Sequence, residues 1–503
     1  MKNCSFIRFA ALCAVSAACA LAEGAPLIQA HRGSRGEYDD NALGGFARCL
    51  ERGIRGFETD VRFSKDHQLV IMHDGRVDRT TDGKGVVEEM TFAEIRKCRI
   101  RNCSEPVPTP GEIFQLLKGR TDTFIEIEMK AYPSAFYTPE VLEKYCVAIN
   151  RLAKDILVPG TFAFTCFNQT TLKMMRKVDP SAKLGYIMGG ALTDADLDFA
   201  KSIGCCSVAP SLRKTSKEMV DKAHALGMTV CLWMVQNASD YGEAAAKGAD
   251  RVTSDYPMLL QDRVNGKCKK LLCFDLDATL CQHRSPVPKK NMRTLTALKD
   301  APYRCIMVGA GNAQRIYDQM EKYPIDIVAN YGMQEATVSN GQFMVVRAVT
   351  NAVDRQFFRE KTDCLRRKYG YTEYDGEPLE FHASGMVTFA LLGTKAPAEK
   401  KLAFDPDRRK RRAMYEEVCG IFKGYSVYIG GSTSFDFAEP KYNKYDAALD
   451  WALRHGYKLE DILFVGDDFA DGGGDSHVRI KGMDHIVITD YRKFPQAMSV
   501  LLK

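Results

Sequence analysis

The run GFETDVRFSKD, residues 56–66, decides the reading of the N-terminal half, and FIEIEMK, residues 124–130, is its counterpart further along. Each is an apolar, β-prone run carrying carboxylates. Glu58 and Asp60 stand two apart, so a strand points both to one face. Working outward, similar apolar runs occupy 27–31, 123–128, 161–165, 184–188, 206–209, 229–233 and 250–253, and 69–73 follows the 56–61 run after a short turn. Amphipathic stretches lie between them, among them 42–52, 139–153, 169–178, 216–226 and 241–247. Strands alternating with helices predict a parallel α/β domain. Eight such units over 27–262 predict a (β/α)8 barrel rather than an open sheet.

In such a barrel the chemistry sits at the C-terminal ends of the strands. Those ends read His31-Arg32-Gly33, Glu58-Thr59-Asp60, His73-Asp74, Glu128-Met129-Lys130 and Trp233. Glu58, Asp60 and Glu128 make a cluster of acids that repel one another unless a cation lies between them, and all-oxygen ligands suit Ca²⁺ or Mg²⁺. His31 and His73 can divide general-base and general-acid work near neutral pH. Arg32 and Lys130 add the fixed positive charge that a phosphate substrate needs. Singly, each has a bland reading: His31 as a core histidine, Glu58 as an ion-pair partner. Their convergence on one rim outweighs it.

The whole chain sets bounds on this reading. It has 503 residues, 45% hydrophobic and 27% charged, which excludes a largely disordered or collagen-like chain. A net charge of +6 is too small for this length to argue for nucleic acid. Residues 1–22 carry Lys2 and Arg8, an apolar Ala-rich run and an Ala20-Leu21-Ala22 exit. That is the form of a secretory signal peptide, so export with cleavage near Ala22 is expected. No later apolar stretch reaches the ~18 residues of a membrane span. Most cysteines fall inside apolar runs and read as small buried hydrophobes. Cys98 and Cys103, close together in a polar loop, are the best candidates for a disulfide.

Residues 261–270, QDRVNGKCKK, read as a polar linker after which the pattern restarts. Apolar strands at 271–276, 305–308, 326–328 and 462–465 predict an open α/β sheet over 268–503, interrupted by a mixed cap at about 344–430. Asp275 and Asp277 follow the first of these strands at i, i+2, so one can attack phosphorus while the other moves the proton. Asp467, Asp468 and Asp475 follow the last, and acids from two strand ends can share Mg²⁺ against a phosphate. Lys444 can balance nucleophile and phosphate. The basic run RRKRR at 408–412 stands beside Tyr415, Val418 and Phe422 at helical spacing, which reads as a solvated helix face rather than a nucleic-acid patch.

Seven blocks carry a resemblance: QAHRG, GFETDVRFSKD, LVIMHDGRVDRTTDGKG, VPTPGEI, FIEIEMK, CLWMVQN and GADRVTSDYP, in that order. Residues 27–262 resemble the glycerophosphodiester phosphodiesterase family. The resemblance implies a TIM barrel that uses a divalent metal to hydrolyse glycerophosphodiesters to sn-glycerol 3-phosphate and an alcohol. His31 and His73 would be the acid/base pair, Glu58, Asp60 and Glu128 the metal ligands, Arg32 and Lys130 the phosphate holders, and Trp233 a pocket wall. Where the family has Glu-Asn-Thr, this chain has Asp40-Asn41-Ala42, which touches the glycerol subsite rather than the metal site.

DLDATL at 275–280, GDDFADGGGD at 466–475 and Lys444 resemble the haloacid dehalogenase superfamily, whose core is Rossmann-like. GGSTSFDFAEPKYNKYDAALDWAL and SGMVTFALLG resemble its subgroup of phosphomannomutases and sugar-phosphate phosphatases. That implies Asp275 as the nucleophile forming an aspartyl-phosphate, Asp277 as acid/base, and Asp275, Asp467 and Asp475 around Mg²⁺. Ala278 replaces a family glycine. Gly309-Ala310-Gly311-Asn312 lacks the family's hydroxyl, leaving backbone N–H groups and Asn312 for the phosphate. The cap stretch 381–386 lacks the arginines a mutase needs, which favours a phosphatase. The expected partners are a small phosphodiester and a phosphomonoester. The alternatives are an unrelated sugar phosphate or mutase chemistry at the second domain, a degenerate second domain, or a lipid- or phosphate-binding surface module; the sequence leaves the oligomeric state open.

Overall fold

The computed structural model describes residues 24–502, so the expected signal segment 1–22 lies outside the described residues. The barrel strands are β1 (Leu27–Ala30), β2 (Gly56–Phe63), β3 (Leu69–Ile71), β4 (Phe124–Met129), β5 (Phe162–Cys166), β6 (Leu184–Ile187), β7 (Ser207–Ala209), β8 (Thr229–Trp233) and β9 (Arg251–Ser254). Eight are parallel and close through β1–β2 and β1–β9 pairing, while β3 is an antiparallel flap on β2. Their residues are buried almost throughout, as a parallel sheet covered by helices requires. Register aligns Glu58 with Glu126 and Asp60 with Glu128 across β2 and β4, which sets two of the rim acids side by side.

The second domain is an open sheet ordered β14-β13-β12-β11-β10-β19-β20. Its strands are β10 (Leu271–Phe274), β11 (Arg304–Val308), β12 (Asp326–Ala329), β13 (Gln334–Ser339), β14 (Gln342–Ala348), β19 (Ile462–Gly466) and β20 (His485–Val487). A separate antiparallel sheet holds β15 (Leu379–Phe381), β16 (Val387–Ala390), β17 (Ser426–Tyr428) and β18 (Ser434–Ala438). The boundaries of the inserted cap therefore move. The run at 343–349 is a hairpin partner of β13 in the main sheet, and the cap extends past 430 to include β18.

Three sequence expectations need correction. Residues 261–270 are no free tether: the helix Pro257–Val264 runs into them, and Lys269 is buried, with Nζ 2.5 Å from Asp484 Oδ2 and 2.8 Å from the Glu460 carbonyl. Cys98 and Cys103 are both free thiols in different apolar clusters, Cys98 packing with Val70 and Ile95, Cys103 with Ala42 and Ile100. The basic run 408–412 is not one solvated face. Arg408 pairs with Asp468, Arg411 is buried, and Arg412 donates to Ser104 Oγ of the barrel at 3.0 Å. Helical spacing put the apolar side chains on one face correctly but carried no information on where the arginines reach.

The two domains are joined by more than the covalent chain. Arg48 on the first barrel helix (Leu43–Glu51), Arg52 just past its end, and Lys269 all converge on Asp484. The Val487 N–H donates to the Gly36 carbonyl at 3.0 Å, a backbone bond from β20 to the barrel rim. Leu259, on the barrel's last helix, packs in the apolar core of the second domain.

Arg411 is the most committed charge in the cap. Its Nε is 2.9 Å from Asp405 Oδ2, both side chains are 1% exposed, and it also donates to the Gly430 and Gly431 carbonyls. Removing one partner of such a pair leaves an unpaired buried charge. Asp405→Ala should destabilise the second domain by about 3–5 kcal/mol in urea unfolding followed by tryptophan fluorescence; a loss below about 1 kcal/mol, the level of an exposed ion pair, would contradict this.

Candidate active sites

The C-terminal ends of β1, β2, β3 and β4 bring the predicted barrel residues together. One carboxylate oxygen each from Glu58, Asp60 and Glu128 lies within 4.8 Å of the others, and all three side chains are buried. Lys130 Nζ sits 2.5 Å from Glu128 Oε1 and 3.2 Å from Asp60 Oδ1, and Arg32 Nε is 3.4 Å from Asp60 Oδ2. Burial, then the charges of Asp60 and Glu128, push Glu58 well above the usual carboxylate range. Burial raises Glu128 to about 7, against the pull of Lys130. Burial acts on Asp60 too, but Lys130 and Arg32 outweigh it and hold that carboxyl low. Glu58 Oε1 is buried with no hydrogen-bond partner. A buried acceptor left over in an all-carboxylate cluster fits a divalent cation of the oxygen-preferring kind.

Both histidines are oriented through Nδ1. His31 Nδ1 is 2.6 Å from Asp255 Oδ1, leaving Nε2 turned inward, 3.9 Å from Glu58 Oε2. His73 Nδ1 is 2.7 Å from Asp74 Oδ1, and Arg79 clamps Asp74 in turn. Burial lowers both imidazoles, His73 to about 4. Asp255 and Asp74 were not singled out in the sequence for a role. Asp255 is 224 residues from its histidine, yet it follows β9 directly, so the strand-end rule that found Asp60 pointed to it as well.

Asp40 pairs with Arg32 at 3.0 Å, Arg35 at 3.2 Å and Arg79 at 2.7 Å. Asn41, the residue unchanged between the departures at Asp40 and Ala42, donates to Asp60 Oδ2 at 2.8 Å and so supports the acid cluster. Trp233 is half-buried at the end of β8; its indole N–H donates to the Ala209 carbonyl at 2.8 Å, and its ring meets Phe167 edge-on.

In the second domain, Asp275 at the end of β10 and Asp467 at the end of β19 meet Asp475, again within 4.8 Å. Lys444, first residue of the helix Lys444–Arg454, is buried with Nζ 2.7 Å from both Asp275 Oδ1 and Asp475 Oδ1. Asp475 Oδ2 accepts from the N–H groups of Asp467 and Asp468. Burial raises Asp275 to about 6 even with Lys444 beside it, and burial with Asp275 raises Asp467 strongly. The second acid, Asp277, is turned toward Arg315 Nη1 at 3.1 Å and Gln319 Nε2 at 2.8 Å. Burial opposes its ionisation, but Arg315 and His283 prevail and its pKa is lowered. Ala278 adopts φ 64°, the left-handed region in which a glycine carries no Cβ strain. Asn312 lines this pocket, and its Oδ1 is spent on the Arg315 N–H at 2.8 Å, so only its amide nitrogen remains for a substrate.

These geometries meet the comparisons with known proteins. The model of the glycerophosphoryl diester phosphodiesterase family matches residues 31–259, and the chain belongs to that family through its barrel. A glycerophosphodiester phosphodiesterase of Caldanaerobacter subterraneus subsp. tengcongensis is 30% identical over 240 residues, covering 46% of this chain and 96% of that protein. One from Bacillus altitudinis is 25% identical, covering 46% and 94%. The structure of an Oleispira antarctica phosphodiesterase in complex with the product sn-glycerol-3-phosphate is 24% identical, with a TM-score of 0.44 over 48% of this chain and 97% of that one.

An imidazole held by a carboxylate at Nδ1 presents the correct tautomer at Nε2, and losing the carboxylate lowers turnover without removing the imidazole. Asp255→Asn should therefore lower kcat for a glycerophosphodiester by about 10²- to 10⁴-fold, with KM changed far less. Steady-state kinetics check this; a variant within a few-fold of wild type would remove Asp255 from the site.

Proposed function

We propose that this chain is an exported phosphohydrolase with two sites in series of chemistry: a barrel that cleaves glycerophosphodiesters to sn-glycerol 3-phosphate and an alcohol, and a second domain that hydrolyses a phosphomonoester. The observation that carries the first half is the meeting of His31, His73 and three buried carboxylates on the rim of a barrel of this family. The relatives' own names record this activity. Held by Glu58, Asp60 and Glu128, a Ca²⁺ or Mg²⁺ would draw charge from the phosphate oxygens. Arg32 and Lys130 stand beside that cluster to bind and orient the phosphate. One histidine accepts the proton of the attacking water and the other returns a proton to the departing alcohol oxygen. Asp255 and Asp74 keep both rings in register.

For the second half, the support is Asp275 at a strand end with Lys444 on it and Asp467 and Asp475 alongside. Mg²⁺ held by these three acids would neutralise the phosphate as the nucleophile approaches. Asp275 attacks phosphorus, the bond to the leaving alcohol oxygen breaks, and water then cleaves the aspartyl-phosphate. Asp277 carries protons once Arg315 and Gln319 release it. A plain phosphatase is favoured over a mutase, because Arg411 is committed to Asp405 and backbone carbonyls and Arg408 to Asp468. Neither is left to grip a second phosphate.

The test is product analysis of the full chain with glycerophosphocholine and Mg²⁺ or Ca²⁺. Wild type should release inorganic phosphate, Asp275→Asn should stop at glycerol 3-phosphate, and His31→Ala should leave the diester intact. Diester cleavage by His31→Ala would overturn the barrel assignment. Wild type that stops at glycerol 3-phosphate would overturn the second.

A further inference from the structure

The two sites open into one space. A chamber of about 1170 Å³ is lined by His73 and Asp40 of the barrel rim and by Ala278, Asp467 and Asp468 of the second domain. A single small-molecule site occupies roughly 300–1,000 Å³, so this chamber is larger than one substrate needs. It continues into a pocket of about 450 Å³ that contains Asp275, Asp277 and Lys444. Ala278, Arg408, Asp467 and Asp468 line both spaces and form the threshold between them.

The wall between the sites carries a particular set of charges. Near the barrel, the arginines are neutralised: Arg32, Arg35 and Arg79 share Asp40, and Arg213 pairs with Asp240. Farther along, the guanidiniums of Arg99, Arg101 and Arg412 donate to neutral oxygens, the Arg96 and Asp78 carbonyls and Ser104 Oγ, while the Arg99 backbone N–H donates to Asp82 Oδ1 at 2.7 Å. All three line the chamber, and their charge is left for something else. Ser104 also accepts from the Asp471 N–H at 3.1 Å, so the barrel insertion, the cap helix Arg409–Ile421 and the loop after β19 are tied at one point beside this wall. Arg408, at φ 60°, turns out of that helix to reach Asp468 at the threshold. A non-glycine residue in that conformation is held there by its surroundings.

We infer that the phosphomonoester released at the barrel passes through this chamber to Asp275 without mixing with the solvent, guided by Arg99, Arg101 and Arg412 past the Arg408–Asp468 pair at the threshold. This rests on the two hydrolyses proposed above and names the substrate of the second: the glycerol phosphate made by the first. The chemistry balances with water alone. One water cleaves the diester into glycerol phosphate and an alcohol. At the second site the P–O bond to glycerol breaks as the bond to Asp275 forms, the glycerol oxygen takes a proton, and a second water releases phosphate and restores the carboxylate. A dianion suits the route, because unpaired guanidiniums attract it along its path more than they attract a neutral alcohol.

The experiment uses the full chain, a glycerophosphodiester with labelled phosphorus, and a large excess of unlabelled sn-glycerol 3-phosphate. Direct transfer predicts early inorganic phosphate at a specific activity far above that of the mixed pool, formed without a lag. The double variant Arg99→Glu/Arg101→Glu should lose that retention, each half-reaction also being measured alone so that a slower site is not mistaken for leakage. Label diluted to the pool value in wild type would overturn the transfer while leaving both hydrolyses standing. Retention that survives the double variant would overturn the role of the arginines. Failure of wild type to release phosphate from either the diester or added glycerol 3-phosphate would instead defeat the proposed function itself.

Discussion

Carboxylates packed out of water without enough positive charge are the constraint around which this molecule is arranged. Glu58, Asp60 and Glu128 in one domain, and Asp275, Asp467 and Asp475 in the other, are each drawn within 4.8 Å. Burial and mutual repulsion hold Glu58 and Asp467 well above the usual carboxylate range. Each group has one buried lysine, Lys130 or Lys444, bridging two of its acids. Arg32 adds a second positive charge beside Asp60 in the barrel. The strand ends supply the rest of the geometry, since parallel strands bring their C-terminal residues to one rim in either fold.

Much of this was legible in the sequence, because strands announce themselves as apolar runs and the residues just past them are polar for a reason. The eight barrel strands, the two acid groups, His31 and His73 are found by that single rule, while Lys444, which opens a helix, came with the resemblance. What it left out are contacts between distant parts of the chain. The strand-end rule reaches Asp255 as a residue but not its bond to His31, 224 positions away. RRKRR looked like a uniform charged face, whereas its members go to a buried pair, a site threshold and a domain seam. The stretch 261–270 read as a polar linker, but Lys269 is fixed by Asp484, a residue 215 positions away. The cap limits shifted because an edge hairpin and a cap strand look alike in sequence, and only their partners separate them.

The placement of the domains is as informative as either site. Asp484 gathers Arg48, Arg52 and Lys269, and Val487 bonds the barrel rim at Gly36, so the two rims are held facing each other. A flexible tether would leave such orientation to chance. A seam with several charged contacts around an apolar centre that includes Leu259 makes it a fixed property of the fold.

The central claim is that each domain holds one divalent cation on its own three carboxylates. Titration of the full chain with Mn²⁺, followed by electron paramagnetic resonance of the free ion, tests it directly. The account predicts two bound equivalents in wild type, falling to one in Glu58→Gln and to one in Asp467→Asn, with the barrel equivalent weakening as pH falls, because Glu58 and Glu128, both raised by burial, must be ionised to hold the cation. Wild type that binds a single equivalent, or two equivalents that survive either substitution, would contradict it.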